Sequence, residues 1–345
     1  MTETEASVIT EAEAALYDRQ IRLWGLEAQK RLRATRILLV GLGGLGAEVC
    51  KNVVLAGIKS IKLVDHRPIS ELDACSQFLV SRDDDGKNRA LMSVSNTQEL
   101  NPNVCVTAED ADIADKPEDF FRDFDVVCLT CCSYKTIERI NRICHDLGIK
   151  FFAGDTYGFY GYMFADLNEH DFVEERVSFK KNPVSDEDGQ PQSKKPAFLK
   201  ETSYVKRTLN FCRLNSALQK DWTRVTGKKL RFTPVLYFVV RVLWKFHEEF
   251  GRNPSPDRLE NDKTELLRLR DEVMDELGLK PDMVPDDFAS HCAAELSPVC
   301  AIVGGVIGQE IIKAASCRDI PHDNFFFFDG LESTGMVAHI TDSKE

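Results

Sequence analysis

Apolar residues fall in short runs along the first half of the chain, and longer amphipathic stretches separate these runs. Strands are predicted at residues 36–40, 60–64, 104–107, 125–130 and 150–153. Helices are predicted at residues 47–56, 87–100 and 135–147. Short, mostly apolar strands that alternate with helices are typical of a parallel sheet with right-handed crossovers. The pattern therefore predicts an α/β fold.

The middle of the chain has a different pattern. Residues 178–201 are polar and contain several prolines, which predicts a flexible linker. Two helices are predicted after it, at residues 234–250 and 263–277. An apolar helix at 297–315 and a buried strand at 324–330 then return to the character of the first half.

These changes in pattern predict the domain organisation. We expect one discontinuous sheet domain, made of residues 1–165 plus 290–345. A mostly helical insertion at residues 166–289 would separate its two parts and would contain the polar linker.

Before the first strand, the chain predicts a short amphipathic helix. Tyr17, Ile21 and Trp24 recur at helical spacing and form one apolar face, whereas Arg19 and Arg22 lie off that face. From periodicity alone, this is a docking helix whose arginines face solvent.

Composition excludes some classes of function. The formal net charge is −12, which argues against a general nucleic-acid-binding or anionic-membrane-binding protein, because both need a basic surface. The longest apolar run, at residues 298–308, contains three glycines, and we expect no membrane-spanning segment. The acidic N-terminus does not resemble a signal peptide. We therefore expect the chain to stay in a reducing compartment. There its 11 cysteines should be free thiols.

The sequence "CLTCC", with Cys128, Cys131 and Cys132, raises the alternative of a zinc site. A structural zinc site usually needs a second pair of ligands at similar spacing, and the sequence has no second C-x-x-C. Because the preceding residues form a predicted buried strand, packed thiols are the better interpretation.

A glycine-rich motif follows the first strand. Gly41, Gly43 and Gly46 form G-x-G-x-x-G between a strand and a helix, and Asp65 ends the second strand. This arrangement is typical of a nucleotide site, where the helix N-terminus binds phosphate and the acidic residue binds a ribose hydroxyl. A nicotinamide dehydrogenase would also need a catalytic acid or base, and none of the seven histidines lies in a recognisable motif.

Several longer segments resemble one known family. "YDRQIRLWGLEAQKRLRATRILLVGLGGLGAEVCKNVVLAGIKSIKLVD", "FFAGDTYGFYGYMFADL", "PVCAIVGGVIGQEIIKA" and "FFFFDG" are similar to the activating enzymes for ubiquitin-like proteins and to the bacterial sulfur-carrier adenylylases. The resemblance implies a Rossmann-like, ThiF/MoeB-type adenylation domain. The length and the "YDRQ" segment are most similar to the smaller subunits of SUMO-activating heterodimers.

The resemblance also implies that this chain's own nucleotide site has lost its chemistry. Competent members carry Asn-Arg-Gln where this chain has Cys75-Ser76-Gln77, and a metal-binding Asp at the position of Cys132. The residues kept from the family's usual set are Gly41, Gly43, Gly46, Asp65 and Lys87. We expect this vestigial site to bind no nucleotide stably, with ATP and Mg²⁺ bound mainly by a partner subunit.

The partners are implied by the family as well. The resemblance implies an obligate heterodimer with a larger catalytic subunit, SUMO as substrate, indirect contact with a SUMO-conjugating enzyme, and a nuclear location, with the cytoplasm as an alternative. Arg19 would reach the partner's ATP phosphates in trans, with Arg22 as the second candidate. Cys212 is alone in the insertion and lacks the setting of the family's thioester cysteine. A self-sufficient adenylylating homodimer and a purely scaffolding subunit are the alternatives.

Overall fold

The computed structural model describes residues 10–181, 198–225, 227, 230 and 233–342. Its strands are β1 Arg36–Val40, β2 Ser60–Val64, β3 Cys105–Glu109, β4 Val126–Thr130, β5 Lys150–Tyr157, β6 Tyr160–Asp166, β7 Glu169–Lys181, β8 Phe198–Asn210, β9 Phe325–Asp329 and β10 Thr334–Ala338. Its α-helices are α1 Glu11–Leu16, α2 Asp18–Trp24, α3 Leu26–Ala34, α4 Gly44–Leu55, α5 Asp73–Ser76, α6 Arg89–Leu100, α7 Tyr134–Leu147, α8 Leu214–Leu218, α9 Val235–Phe250, α10 Leu259–Glu276 and α11 Ser297–Ser316.

One eight-stranded sheet organises the fold, in the order β10-β9-β6-β5-β4-β1-β2-β3. The five strands from β5 to β3 run parallel, and β1 pairs with both β2 and β4. The remaining three strands extend the sheet in antiparallel fashion. The predicted α/β fold with a parallel sheet is therefore confirmed, and the antiparallel extension is an addition to it.

Alternate residues of the central strands face two separate cores. In β1, Ile37 and Leu39 pack into one apolar cluster, whereas Leu38 and Val40 pack into the other. Because a strand turns successive side chains to opposite faces, a strand covered on both sides must be apolar throughout. This is why the "RILLV" run has no polar alternation.

The first of these cores contains a close contact between two helices, α4 and α11. A Cβ placed on Gly304 would lie 2.6 Å from the Glu48 Cβ, and one on Gly308 would lie 2.7 Å from the Asn52 Cβ. The two glycines therefore let α11 lie directly against α4. By length and composition alone, α11 could cross a bilayer, but 67% of its most apolar window is buried within the protein.

Residues 166–289, the predicted insertion, contain helices α9 and α10, as predicted, together with a two-stranded hairpin that was not predicted. β7 and β8 pair antiparallel over their whole length, from Glu169 opposite Asn210 to Lys181 opposite Phe198. The predicted linker at residues 178–201 is thus strand at both described ends, and residues 182–197 lie outside the described residues. Polar residues do not prevent such pairing, because the hydrogen bonds join backbone groups.

Candidate functional site

The glycine loop, residues 41–46, follows β1 directly and includes the first three residues of α4, as the motif predicts. Gly41 has a φ of +84°, and a Cβ placed on it would lie 2.1 Å from the carbonyl oxygen of Thr130. Only glycine fits this turn. A Cβ on Gly46 would lie 1.9 Å from the carbonyl oxygen of Gly41, so the first turn of α4 packs directly on the loop.

A carboxylate of the same chain covers the N-terminus of α4. The backbone N–H of Gly44 donates to Glu295 Oε2 at 2.9 Å, and the N–H of Leu45 donates to Oε1 at 3.2 Å. The Ser76 hydroxyl also donates to Oε2, at 3.3 Å. These free N–H groups are the ones that bind phosphate in a working glycine loop. Here they bind a side chain that is 251 residues away in the sequence.

The backbone around Glu295 is held in place by the turn between β5 and β6. The N–H of Gly158 donates to the Ala294 carbonyl at 2.7 Å, and the N–H of Phe159 donates to the His291 carbonyl at 2.9 Å. Gly158 and Glu295 also form an isolated β-bridge. The carboxylate therefore projects from a fixed segment.

Asp65 lies at the predicted edge of the sheet, but neighbouring groups of the chain occupy its oxygens. Oδ2 accepts from the Leu42 N–H at 2.7 Å and from the Arg89 Nη2 and Nε at 2.7 and 3.0 Å. Oδ1 accepts from the Arg67 N–H at 2.9 Å. The side chain of Asp65 is buried, and this network uses the oxygens that a ribose hydroxyl would need.

Arg89 is buried beside Asp65 at the end of β2. This residue was not predicted from the sequence, and Lys87 was predicted instead. Arg89 bridges Asp65 and Asp73, with its Nη1 2.8 Å from Asp73 Oδ1. Burial opposes its charge, but the neighbouring carboxylates raise its pKa above the usual value, so Arg89 stays protonated. Lys87, the predicted residue, lies on the surface and pairs with Asp84 at 2.9 Å. Asn88 caps α6, which places Arg89 in its first turn.

Acidic and thiol groups collect beside the loop, together with Arg67 and Arg89, which bind the Cys131 carbonyl and Asp65. The ligand atoms of Cys131, Asp155 and Glu295 lie within 4.8 Å of one another. Burial and the charge of Glu295 raise the pKa of Asp155 to about 7. Burial also raises the pKa of the Cys132 thiol, which is therefore neutral at the position where the family resemblance implies a metal-binding Asp.

A cavity of about 400 Å³ opens beside the glycine loop. Among the described residues, its lining includes Gly41, Asp65 and Cys132 but not Gly43 or Gly44, which Glu295 covers. Three arginines also line it, Arg67, Arg89 and Arg252. The residues present do not fit Mg-ATP: a carboxylate occupies the anion position, Asp65 is engaged, and Ser76 and Cys132 carry no charge that would bind phosphate or metal. The lining arginines are bound within the chain, to the Cys131 carbonyl, to Asp65 and to Asp262. We therefore assign no reaction step to this pocket.

The predicted amphipathic helix is present, as α1 and α2 with a break at Tyr17. Tyr17 is buried, and its hydroxyl accepts from Asn101 Nδ2 at 2.8 Å. A Cβ placed on Gly57 would lie 2.5 Å from the Tyr17 Cζ, so the ring lies flat on that glycine. Trp24 Nε1 donates to Gln29, which donates in turn to the carbonyl of Ala56.

These contacts place α2, which we call the arginine helix, beside the C-terminal end of α4. Arg19 is exposed and has no ion-pair partner within the part of the chain that the structure describes. Arg22 is also exposed and pairs with Asp18 at 3.1 Å. Since α4 has 12 residues, its two ends lie roughly 18 Å apart. The structure thus separates Arg19 from the chain's own glycine loop.

Two further residues that could act chemically, Cys212 and His247, form hydrogen bonds within the chain. Cys212 is buried, accepts from Asn324 Nδ2 at 3.2 Å, and has its pKa raised mainly by burial. His247 Nδ1 lies 2.8 Å from Asn253 Oδ1. Cys128 is fully buried in β4, in agreement with a packed thiol.

Comparison with known proteins identifies the family. The model of the ThiF family matches residues 17–345. The chain is 52% identical over 338 residues to "SUMO-activating enzyme subunit 1" of Xenopus laevis, covering 98% of each chain. It is 50% identical over 330 residues to the Homo sapiens protein of that name, covering 95% of each, and 50% identical over 342 residues to the Danio rerio protein, covering 98% of each. The chain therefore belongs to the ThiF family and, within it, to the group of SUMO-activating enzyme subunit 1.

Proposed function

We propose that this chain is the non-catalytic smaller subunit of a heterodimeric SUMO-activating enzyme. The larger partner subunit binds Mg-ATP, adenylates the C-terminus of SUMO and then carries it as a thioester. This chain contributes Arg19 to the partner's ATP site. The names of its relatives support the enzyme and its division into subunits.

The observation that carries this proposal is the position of Arg19. The arginine helix is fixed beside one end of α4, and the glycine loop lies at the other end, roughly 18 Å away. Arg19 is exposed and has no ion-pair partner among the described residues, so its charge is available to a second protein. An arginine that cannot serve its own pocket is suited to act in trans.

The chemistry of this contribution follows from the guanidinium group. It is planar, always protonated, and presents several N–H donors in a fixed arrangement that matches phosphate oxygens. During adenylation, negative charge grows on the phosphate oxygens that leave as pyrophosphate. A fixed positive charge at that point lowers the barrier. Arg22, one turn further along α2 and paired with Asp18, is the weaker candidate for this role.

The remaining parts of the proposal concern what this chain does not do. With Glu295 in the anion position and neutral Ser76 and Cys132 nearby, we expect no stable binding of ATP or Mg²⁺ by this subunit. Cys212 is buried, so we expect the SUMO thioester to form on the partner's cysteine. The SUMO-conjugating enzyme would then meet this chain only through the complex, and we expect the complex to work in the nucleus.

The decisive experiment is SUMO-dependent exchange between ATP and pyrophosphate. It is measured with this chain alone, with the larger subunit alone, and with the co-purified complex. We expect exchange in the complex and none with this chain alone. Exchange by the isolated chain would overturn the non-catalytic assignment and favour a self-sufficient homodimer.

A further inference from the structure

We infer that Glu295 is an internal anion: it takes the place of a bound phosphate at the N-terminus of α4 and keeps the glycine loop closed to external phosphate. The pocket is then occupied by the chain itself, which is a different state from a pocket that has merely lost its charged residues. This inference concerns the chain alone and does not rest on the partner, on SUMO or on Arg19.

The first support is the geometry of the carboxylate. Its two oxygens accept from two successive backbone N–H groups, those of Gly44 and Leu45, and one also accepts from the Ser76 hydroxyl. A helix N-terminus carries partial positive charge and free donors, which favour a bound anion. The first turn of α4 has no acidic residue of its own, and its N-cap Gly43 has no side chain to accept these bonds. Glu295 supplies the missing acceptor.

The second support is the way Glu295 is held. Its segment is pinned to the β5–β6 turn through hydrogen bonds at Ala294 and His291 and through the bridge to Gly158. A tethered group acts at a high effective concentration, of the order of millimolar or above for short links. External phosphate at ordinary concentrations must therefore compete with an anion that is always present.

The third support is the fit around the carboxylate. A Cβ placed on Gly43 would lie 3.0 Å from Glu295 Oε2 and 3.1 Å from the Cys131 Sγ, so the carboxylate fills the space over the loop. The cavity beside the loop has no lining contribution from Gly43 or Gly44 within the described ranges. Asp155 lies next to Glu295, and its neutral form at moderate pH spares the site a second charge.

The test reads out the two amide groups directly. The full-length chain is labelled with ¹⁵N-glycine and ¹⁵N-leucine, and the Gly44 and Leu45 amide signals are followed while sodium phosphate is added, with sodium chloride of equal ionic strength as reference. Wild type is compared with Glu295→Ala, which empties the position, and with Glu295→Gln, which keeps the volume but removes the charge. Glu332→Gln, at an exposed surface residue, is the matched control.

We expect the chemical shifts of the Gly44 and Leu45 amides to stay unchanged on addition of phosphate in wild type and in Glu332→Gln. In Glu295→Ala, the two amide signals should shift upfield without phosphate, because they lose their hydrogen-bond acceptor. They should return downfield as phosphate binds. We expect the variant to bind phosphate at least about tenfold more tightly than wild type does. If Glu295→Ala does not fold, Glu295→Gln should shift at least one of the two amide signals upfield, because its NH2 group cannot accept the second hydrogen bond, and should gain phosphate binding by a smaller factor.

Two results would overturn the inference. Saturable phosphate shifts in wild type as large as in the Glu295 variants would show that the carboxylate does not hold the position. Unchanged Gly44 and Leu45 signals in the Glu295 variants, with no gain in phosphate binding, would show that it does not close the loop. Neither result depends on exchange activity, so the proposed function is tested separately.

Discussion

The two ends of α4 illustrate opposite uses of charge. At the N-terminal end, Glu295, Asp65 and Arg89 are engaged with groups of the same chain. At the C-terminal end, the buried Tyr17 holds a helix whose Arg19 faces outward with no ion-pair partner in the described part of the molecule. The first end has the glycine motif and acidic residue of a nucleotide pocket and is satisfied internally, whereas the second contains no nucleotide motif.

On the proposed function, the nucleotide fingerprint and the acting residue lie at different places in one fold. The glycine loop keeps its shape because the backbone turn and the packing of α4 require it, whether or not phosphate binds. A group that is to act on another molecule must instead be left without a partner in its own chain. The following predictions would break or sharpen this contrast, beginning with the largest expected effect.

Replacing Arg19 with Ala should lower SUMO-dependent ATP–pyrophosphate exchange by the complex by about 10³-fold, because arginines acting in trans on phosphates contribute at least that much. The heterodimer should still co-elute in gel filtration. Arg122→Ala, at an exposed arginine paired with Asp119, is the control and should leave exchange unchanged. Full exchange by the Arg19 variant would leave this subunit only a scaffolding role.

Replacing Tyr17 with Ala should lower the free energy of unfolding by about 3 kcal/mol, because a buried aromatic ring is lost from the surface of Gly57. Tyr17→Phe keeps the ring and loses only the hydrogen bond from Asn101, so about 1 kcal/mol is expected. Urea unfolding measures both. Equal effects of the two variants would mean that the ring does not hold the arginine helix in place.

Asp155, beside the N-terminal end of α4, should make the free energy of unfolding depend on pH. Its pKa is about 7 in the folded chain and near 3.8 when unfolded, so the folded state binds the extra proton between these values. The free energy of unfolding should therefore fall as pH rises, by about 2 kcal/mol between about pH 5.0 and 6.5, and level off above 7. Asp155→Asn should lack this part of the decline. Parallel pH profiles of the two proteins in urea unfolding would contradict the assignment.

Replacing Ser76 with Ala should have the smallest effect, a loss of about 0.5 kcal/mol in unfolding free energy. Glu295 would keep both backbone N–H bonds, so the loop should stay closed and phosphate should still not shift the Gly44 amide. A Ser76 variant that binds phosphate as well as Glu295→Ala would assign the closure to the hydroxyl group instead.

The local elements of the fold were largely predictable from sequence. β1 and β2 have the predicted bounds, and α7 differs from its prediction by one residue, because buried runs and amphipathic spacing are local signals. The buried strand β6, the exposed strand β10 and the long hairpin were missed. For β10 and the hairpin, pairing depends on backbone groups of distant segments rather than on an apolar pattern.

The site was predictable only in part, for a related reason. The glycines and Asp65 were found because a motif with fixed spacing contains them. Glu295 carries no such signal: its partners lie 250 and 251 residues away along the chain, and only the folded sheet brings them together. Arg89 lies two residues from the predicted Lys87, and the cap at Asn88 was the available sign that the helix begins there and turns Arg89 inward.

The close contact of α11 with α4 at Gly304 and Gly308 fixes a distance within the molecule. The glycines let α11 lie against the Cβ atoms of Glu48 and Asn52, and a Cβ atom cannot move aside by changing rotamer, so neither helix slides without a clash. Helix α4 is therefore held in one position. The distance between the glycine loop at its N-terminal end and the arginine helix at its C-terminal end is then set by the length of α4, and Gly304 and Gly308 of α11 keep it constant.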